Sequence, residues 1–296
     1  MPSGSEGQMR SFIKSNIDEK IYKYNEDNIG NLEIHKEGNK RCLCIECGMD
    51  SCGVMVISKT PGKVYFSGVG GVSAAYLAGK KIVFENGSMG IVRYDGKNAN
   101  DAKVTDLYIE MDEACVDTGD FGVIAADFFE NKNTFFANEI STKIAVAVVL
   151  EALKDAETDK EITVAFTAQR RFGAKGILTY LGNKEFDKVI TIDGISCENG
   201  IKCGGGCAVV AADCRGVSDK CFRNEVEQLA RTSGIEIQTA VTAENLCIEA
   251  VSVTGKGSCG VGLGIPVSHK GKSYESVLKK DFDGAVKLLK SVIEGL

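Results

Sequence analysis

The spacing of apolar positions changes along the chain, and each change marks a different kind of element. "EGQMRSFIKSNI" places Met9, Phe12, Ile13 and Ile17 on one helical face, with Ser5 ahead of it as the expected N-cap. "IGNLEIHKEG" and "RCLCIECGMDSCGVMVI" read as a hairpin-like pair of strands separated by a glycine-containing turn, the second apolar enough to lie centrally in a sheet. From 58 to 137 the pattern is short β runs broken by glycine turns, such as "KVYFSGVGG", "KKIVFENGSMGIV" and "VTDLYIEM", which predicts a compact all-β module. Beyond it, helical period in "TKIAVAVVLEALKDA", "AKGILTYLGN", "DKCFRNEVEQLARTSG" and "DFDGAVKLLKSVIEGL" alternates with strand period in "EITVAFTAQ", "KVITIDGIS", "CAVVAADC", "IEIQTAV" and "GVGLGIPVS". The predicted fold is an α/β sheet with a β insertion.

Composition narrows the classes of function. With 296 residues, 44% of them apolar, the chain can bury a large core. Its net charge is −6 and its lysines and arginines are scattered among acids, so no basic stripe is available for nucleic acid. The first residues carry no apolar leader, and the most apolar window, "IAVAVVLEAL" at 144–153, is too short to span a bilayer. A cytoplasmic location without membrane attachment is the expectation. The twelve cysteines are then expected as reduced thiols. Cys42, Cys44, Cys47 and Cys52 cluster, but Cys42 and Cys44 alternate with Leu43 and Ile45 without repeated CxxC pairs, which favours small buried hydrophobes over a metal or iron–sulfur site. "CGGGC" lacks the GxxxxGK[ST] pattern and reads as a turn, His35 as solvated, and the tracts "KDAETDK" and "KGKSYESVLKK" as charged surface.

The phrases "SGSEGQMRSFI", "DNIGNLEIHKEG", "MDSCGVMV", "VYFSGVGGVSAAYLAGKKIVFENGSMGIV", "VVLEALKD", "ITVAFTAQ", "VITIDG" and "GIPVSHKGKSYESV" occur in an order that carries a resemblance from end to end. The chain resembles the large cytosolic zinc or cobalt aminopeptidases that include glutamyl aminopeptidases and the cellulase M proteins. The resemblance implies a phosphorylase/hydrolase-like mixed-sheet α/β domain (1–57 with 138–296) carrying an inserted small all-β domain (58–137) with an assembly or gating role. It further implies a tetrahedral dodecamer, two metal ions held by two histidines, two aspartates and a glutamate, and a second glutamate as general base. Two close cations would lower the pKa of a water and steady the tetrahedral intermediate.

Carried over position by position, most of that machinery is missing. The first histidine ligand falls on Gly48, while the aspartate that orients it persists as Asp50. The bridging aspartate falls on Ser141, followed by Thr142 and Lys143. Where the family has Gln-Glu-Glu this chain has "QRR", so the general base falls on Arg170 and the liganding glutamate on Arg171. Asp193 keeps its ligand position, and the last histidine falls on Gly271. Glu139 and His269, each two residues from a lost ligand, are candidates for slipped ligands. A guanidinium can serve neither as base nor as ligand, and it repels a dication. The residues therefore predict no catalytic group and no bound metal, with Arg170, Arg171 and Lys143 neutralising Asp50 and Asp193 in place of the ions. Three functions follow from this: an inactive homologue that assembles with itself or with a paralogous aminopeptidase subunit, an active aminopeptidase with shifted ligands, or a binder of acidic peptides or small anions through Arg170 and Arg171.

Overall fold

The computed structural model describes residues 2–39, 43–98, 101–154 and 156–296. Its first elements are α1 (Gly7–Ser15), β1 (Lys23–Glu26), β2 (Leu32–Lys36), β3 (Leu43–Gly48), β4 (Gly53–Thr60), β5 (Lys63–Val69), α2 (Ala74–Leu77), β6 (Lys81–Phe84), β7 (Met89–Tyr94) and β8 (Leu107–Glu110). The middle of the chain forms β9 (Phe121–Ile124), β10 (Phe128–Glu130), β11 (Thr134–Ala137), α3 (Ile140–Lys154), β12 (Ile162–Thr167), α4 (Lys175–Gly182) and β13 (Lys188–Ser196). The rest is β14 (Cys207–Ala212), α5 (Lys220–Thr232), β15 (Ile237–Val241), α6 (Ile248–Val253), β16 (Cys259–Val267), β17 (Glu275–Leu278) and α7 (Lys279–Gly295).

Eight strands make one mixed sheet in the order β1-β2-β12-β3-β13-β16-β14-β15. Its centre, β12, β3, β13 and β16, is parallel. Such strands are covered on both faces, which is why "LCIECG" and "ITVAFT" are buried at every position. Leu43, Ile45 and Cys47 of β3 face the core shared with α1, α3 and α7, while Cys44 faces the one built from α4 and α6. The insertion is a closed barrel, β4-β5-β8-β7-β6-β9, around its own core of Val54, Phe66, Leu77, Ile82 and Ile109. A third, small sheet joins β10, β11 and β17.

Five local expectations are corrected. Glu6, not Ser5, occupies the N-cap of α1, and Phe12 points outward at 54% exposure while Ile13 is buried. "RCLCIECGMDSCGVMVI" is not one strand: it breaks after Gly48, so that β3 serves the central sheet and β4 the barrel. β2 and β3 are not hairpin partners, because β12 lies between them, antiparallel to one and parallel to the other. Of the cysteines, Cys197 and Cys203 form a disulfide rather than two reduced thiols, whereas Cys44, Cys47 and Cys52 are free and buried. Cys42 lies outside the described residues. No described helix is long and apolar enough to cross a membrane.

Candidate functional site

Parallel strands end on the same edge of a sheet, and in open α/β folds the crevice beyond their carboxyl ends is where ligands bind. Here β3 delivers Gly48 and Asp50 to that edge, β12 runs into the turn carrying Arg170 and Arg171, and β13 brings Asp193. The first turn of α3 adds Ser141 from the side: an added Cβ on Gly194 would lie 2.8 Å from the Ser141 Cα.

The two arginines divide the work. Arg170 is buried, and its Nη1 lies 2.8 Å from Asp193 Oδ2, while Nε donates to Cys247 Sγ at 3.3 Å. Burial works against its charge, but Asp193, Cys247 and Glu46 outweigh that and hold the guanidinium firmly protonated. Among the described residues, Asp50 takes no guanidinium on its carboxylate. Its carboxylate accepts the backbone N–H groups of Arg170 at 3.1 Å and Arg171 at 2.9 Å, together with the Ser3 hydroxyl. Glu6 joins the same turn by accepting the Gln169 N–H at 2.9 Å. The N-terminal segment thus pins the arginine turn from outside, a role for Ser3 and Glu6 that nothing in their sequence context signals.

Gly48 explains how Arg170 fits. A Cβ at that position would lie 2.5 Å from Arg170 Cδ, so the arginine stem occupies the space a side chain at 48 would need. Arg171 instead runs to the open side of the cleft and is exposed. Its Nε reaches the Asp50 carbonyl at 3.4 Å and its Nη2 the Thr142 hydroxyl at 3.3 Å. Lys143 also departs from the expected role, because its Nζ donates to the Asn138 carbonyl at 3.0 Å rather than to Asp50 or Asp193.

Glu275 joins two more positions. Its Oε2 accepts the Ser141 N–H at 3.0 Å and its Oε1 the Gly271 N–H at 2.8 Å, so one carboxylate ties together two places expected to have lost a ligand. Glu275 is buried, which corrects the reading of "KGKSYESVLKK" as uniform charged surface. Glu139 is buried with φ of 51°, and its carboxyl is raised above the usual range by burial in spite of Arg171, while the Cys52 thiol donates to the Gly70 carbonyl at 3.1 Å. The Cys52 thiol is pushed up to about 12, chiefly by burial, so it is no ready nucleophile. His269 is exposed, and His35 sits half-buried on β2 against the Thr163 hydroxyl.

Glu46 went unnoticed in the sequence, although a glutamate inside "LCIECG" is a signal in itself. Its Oε1 accepts the Thr167 hydroxyl at 2.5 Å, and Oε2 has no partner among the described residues. Burial raises its pKa, with Arg170 opposing.

Chain comparison agrees with this architecture. Residues 30–288 match the M42 glutamyl aminopeptidase family. The chain belongs to that family. A protein of Acetivibrio thermocellus named "Putative aminopeptidase" is 29% identical over 310 residues, covering 98% of this chain and 94% of its own. Among solved structures, the Pyrococcus horikoshii TET1 peptidase, which can assemble into a tetrahedron or a large octahedral shell, superposes with a TM-score of 0.89 at 26% identity, over 100% of this chain and 96% of its own. An aminopeptidase from Desulfurococcus kamchatkensis shares the fold with a TM-score of 0.91 at 19% identity, over 100% and 91% of the two chains.

The family's metal pair can be tested against these residues, and they do not fit it. The one carboxylate left at an expected ligand position, Asp193, is engaged by a guanidinium at 2.8 Å. A histidine at 48 would collide with the stem of Arg170. Among the described residues, no group of three or more His, Cys, Asp or Glu side chains is placed to hold a metal ion.

Proposed function

We propose that this chain is an M42-family subunit in which an internal arginine plug stands where the family pattern calls for metal ligands, and that it acts by assembling rather than by metal-dependent hydrolysis. The observation that carries this reading is the Arg170–Asp193 ion pair seated in the space left by Gly48. A cation fixed at that point supplies the countercharge Asp193 needs, and it can neither activate a water nor accept a proton. The retained barrel supports assembly as an inserted assembly or gating domain, expected at 58–137 between the α/β segments 1–57 and 138–296, although the barrel strands themselves run from β4 at Gly53 to β9 at Ile124 while β10 and β11 pair with β17. The partner is a further copy of this chain or a paralogous active subunit in a cytoplasmic shell, as the assembly of the Pyrococcus TET1 relative suggests.

Metal analysis by mass spectrometry after dialysis against zinc and cobalt, alongside cleavage of aminoacyl reporter substrates, tests this. The expected result is far less than one metal per chain and no chelator-sensitive cleavage. Close to two metals per chain with chelator-sensitive activity would overturn it and restore the reading of an aminopeptidase with shifted ligands.

One observation favours a second reading. The Arg171 side chain is exposed and makes only long contacts, so its guanidinium can donate to a carboxylate of an acidic peptide or small anion, whereas Arg170 is already committed. Binding of this kind should weaken with salt and vanish in Arg171→Glu.

A further inference from the structure

Helix α3 is apolar almost all round, and a helix of that kind needs cover on every side. The sheet and α7 supply it on one side, through contacts of Ile144, Ala145, Val148 and Val149 with the main core. On the other side Val146 and Leu150, themselves buried in that core, form the floor of a groove of about 670 Å³ between α1, the end of the barrel and α3, walled by Met9, Phe12 and Phe282. A second apolar hollow of about 330 Å³, reaching Phe128 and Phe135, meets it at Ala147 and Lys143. Volumes in this range, with apolar walls and few polar groups, are typical of small-molecule sites.

The polar groups lie mainly at the ends. From Lys143 to Lys154 the helix runs three turns, about 16 Å at 1.5 Å per residue. At the far end, Lys154 is neutralised by Glu151 at 2.7 Å. At the inner end Lys143 is not: its ammonium donates to one carbonyl and, among the described residues, has no carboxylate at ion-pair distance, so two of its three donors are free. Glu139, which lines the same groove, and Glu275 act on it from beyond ion-pair distance, and burial weakens both charges, lowering Lys143 as it raises Glu139. Ser51, whose buried hydroxyl has no partner among the described residues, lies on the same wall.

We propose that this groove binds a long-chain carboxylate, with the alkyl tail laid along α3 and the head group on Lys143. Charge complementarity selects this occupant: an apolar trough closed at one end by an ammonium with no carboxylate at ion-pair distance among the described residues matches a molecule with one anionic end. The site is separate from the Arg170–Asp193 pair, so the proposal stands whether or not the chain is catalytic.

Titration calorimetry of the full-length, assembled protein with dodecanoate and with dodecanol tests it. Dodecanoate should bind saturably at one per chain. Lys143→Met, which keeps the apolar stem, should weaken dodecanoate by about tenfold or more, the size expected for losing a charged hydrogen bond. It should leave dodecanol unchanged. Phe12→Glu, at an exposed position, should weaken both. On the unaltered protein, dodecanoate but not dodecanol should shield Lys143 from reductive methylation read by mass spectrometry, so the outcome does not depend on a variant folding. Absence of saturable binding, equal dodecanoate affinity in Lys143→Met, or binding only after the assembly is dissociated would overturn the proposal, the last meaning that a second copy of the chain covers the groove.

Discussion

If Gly48 and Arg170 are two halves of one adaptation, replacing both must cost less than the sum of replacing each. In Gly48→Ala the new methyl would sit 2.5 Å from Arg170 Cδ, 3.3 Å from its Cβ and 3.4 Å from its Nη1. Carbon atoms in good contact lie about 3.5–4.0 Å apart, so the arginine stem must retreat by about 1 Å. Gly48 cannot yield, because it is fixed in register beside Thr167 in the central sheet. A retreat of that size takes Nη1 from 2.8 Å to beyond hydrogen-bonding distance of Asp193. Overpacking of this kind costs about 1–3 kcal/mol. Arg170→Ala leaves Asp193 without its partner, and breaking a buried ion pair costs about 3–5 kcal/mol. The lower end applies, because the Asp193 side chain keeps 16% of its surface in water. Once Arg170 is gone, the methyl at 48 enters vacated space and its cost should fall to near zero. The expected coupling is therefore about 1–3 kcal/mol, the range found for residues in contact. The chain has no tryptophan, so urea unfolding should be followed by circular dichroism at fixed protein concentration, comparing midpoints at constant slope. Additivity within about 0.5 kcal/mol would refute the argument.

Other parts of the site make predictions of their own. Glu46 has a folded pKa above its unfolded value because of burial, so its contribution is fully present below the unfolded pKa and is lost as pH rises through the folded one. Glu46→Gln should accordingly gain stability relative to the natural protein at pH 8 and show little difference at pH 4; an equal effect at both would contradict the assignment. Glu275→Gln offers one acceptor to two N–H groups and should lose about 1–3 kcal/mol, with faster hydrogen exchange at Ser141 and Gly271 and none of this effect in the barrel. Reducing the Cys197–Cys203 disulfide, which closes a short loop after β13, should add two titratable thiols per chain under denaturing conditions and cost about 2 kcal/mol.

Local periodicity carried most of the fold. The alternation of helix and strand after 138 and the glycine-punctuated β insertion were legible because each element has its own repeat, 3.6 or 2.0. Pairing was not, since β12 enters between β2 and β3 from more than a hundred residues away and leaves no mark in either strand. Capping failed for a similar reason: the Ser5 hydroxyl is drawn to Glu85 at the end of β6, and Glu6 takes the N-cap position while its carboxylate holds the Gly4 and Gln169 N–H groups instead of one in the helix. At the site, the carry-over from the family pattern put Arg170, Arg171 and Lys143 against Asp50 and Asp193 without saying which cation meets which carboxylate, and the fate of Asp50 was not legible. That carboxylate is satisfied by backbone N–H groups, which every residue carries and no sequence pattern advertises.

These contacts bear on how a cleft could keep its shape without metal ions. In a dinuclear site the ions cross-link several segments at once, and removing them leaves like charges facing one another with nothing to draw the segments together. Here the segments are cross-linked by other means. Arg170 joins β12 to β13 through Asp193, Asp50 joins β3 to the arginine turn, and Glu275 joins α3 to the loop after β16. Each link uses a charge whose partner is fixed by the fold, so none can be changed singly without stranding a buried group. This is why restoring one ligand, such as Gly48→His, should destabilise the cleft rather than begin to rebuild a metal site: the imidazole would enter the space of Arg170 while Asp193 still needed its countercharge.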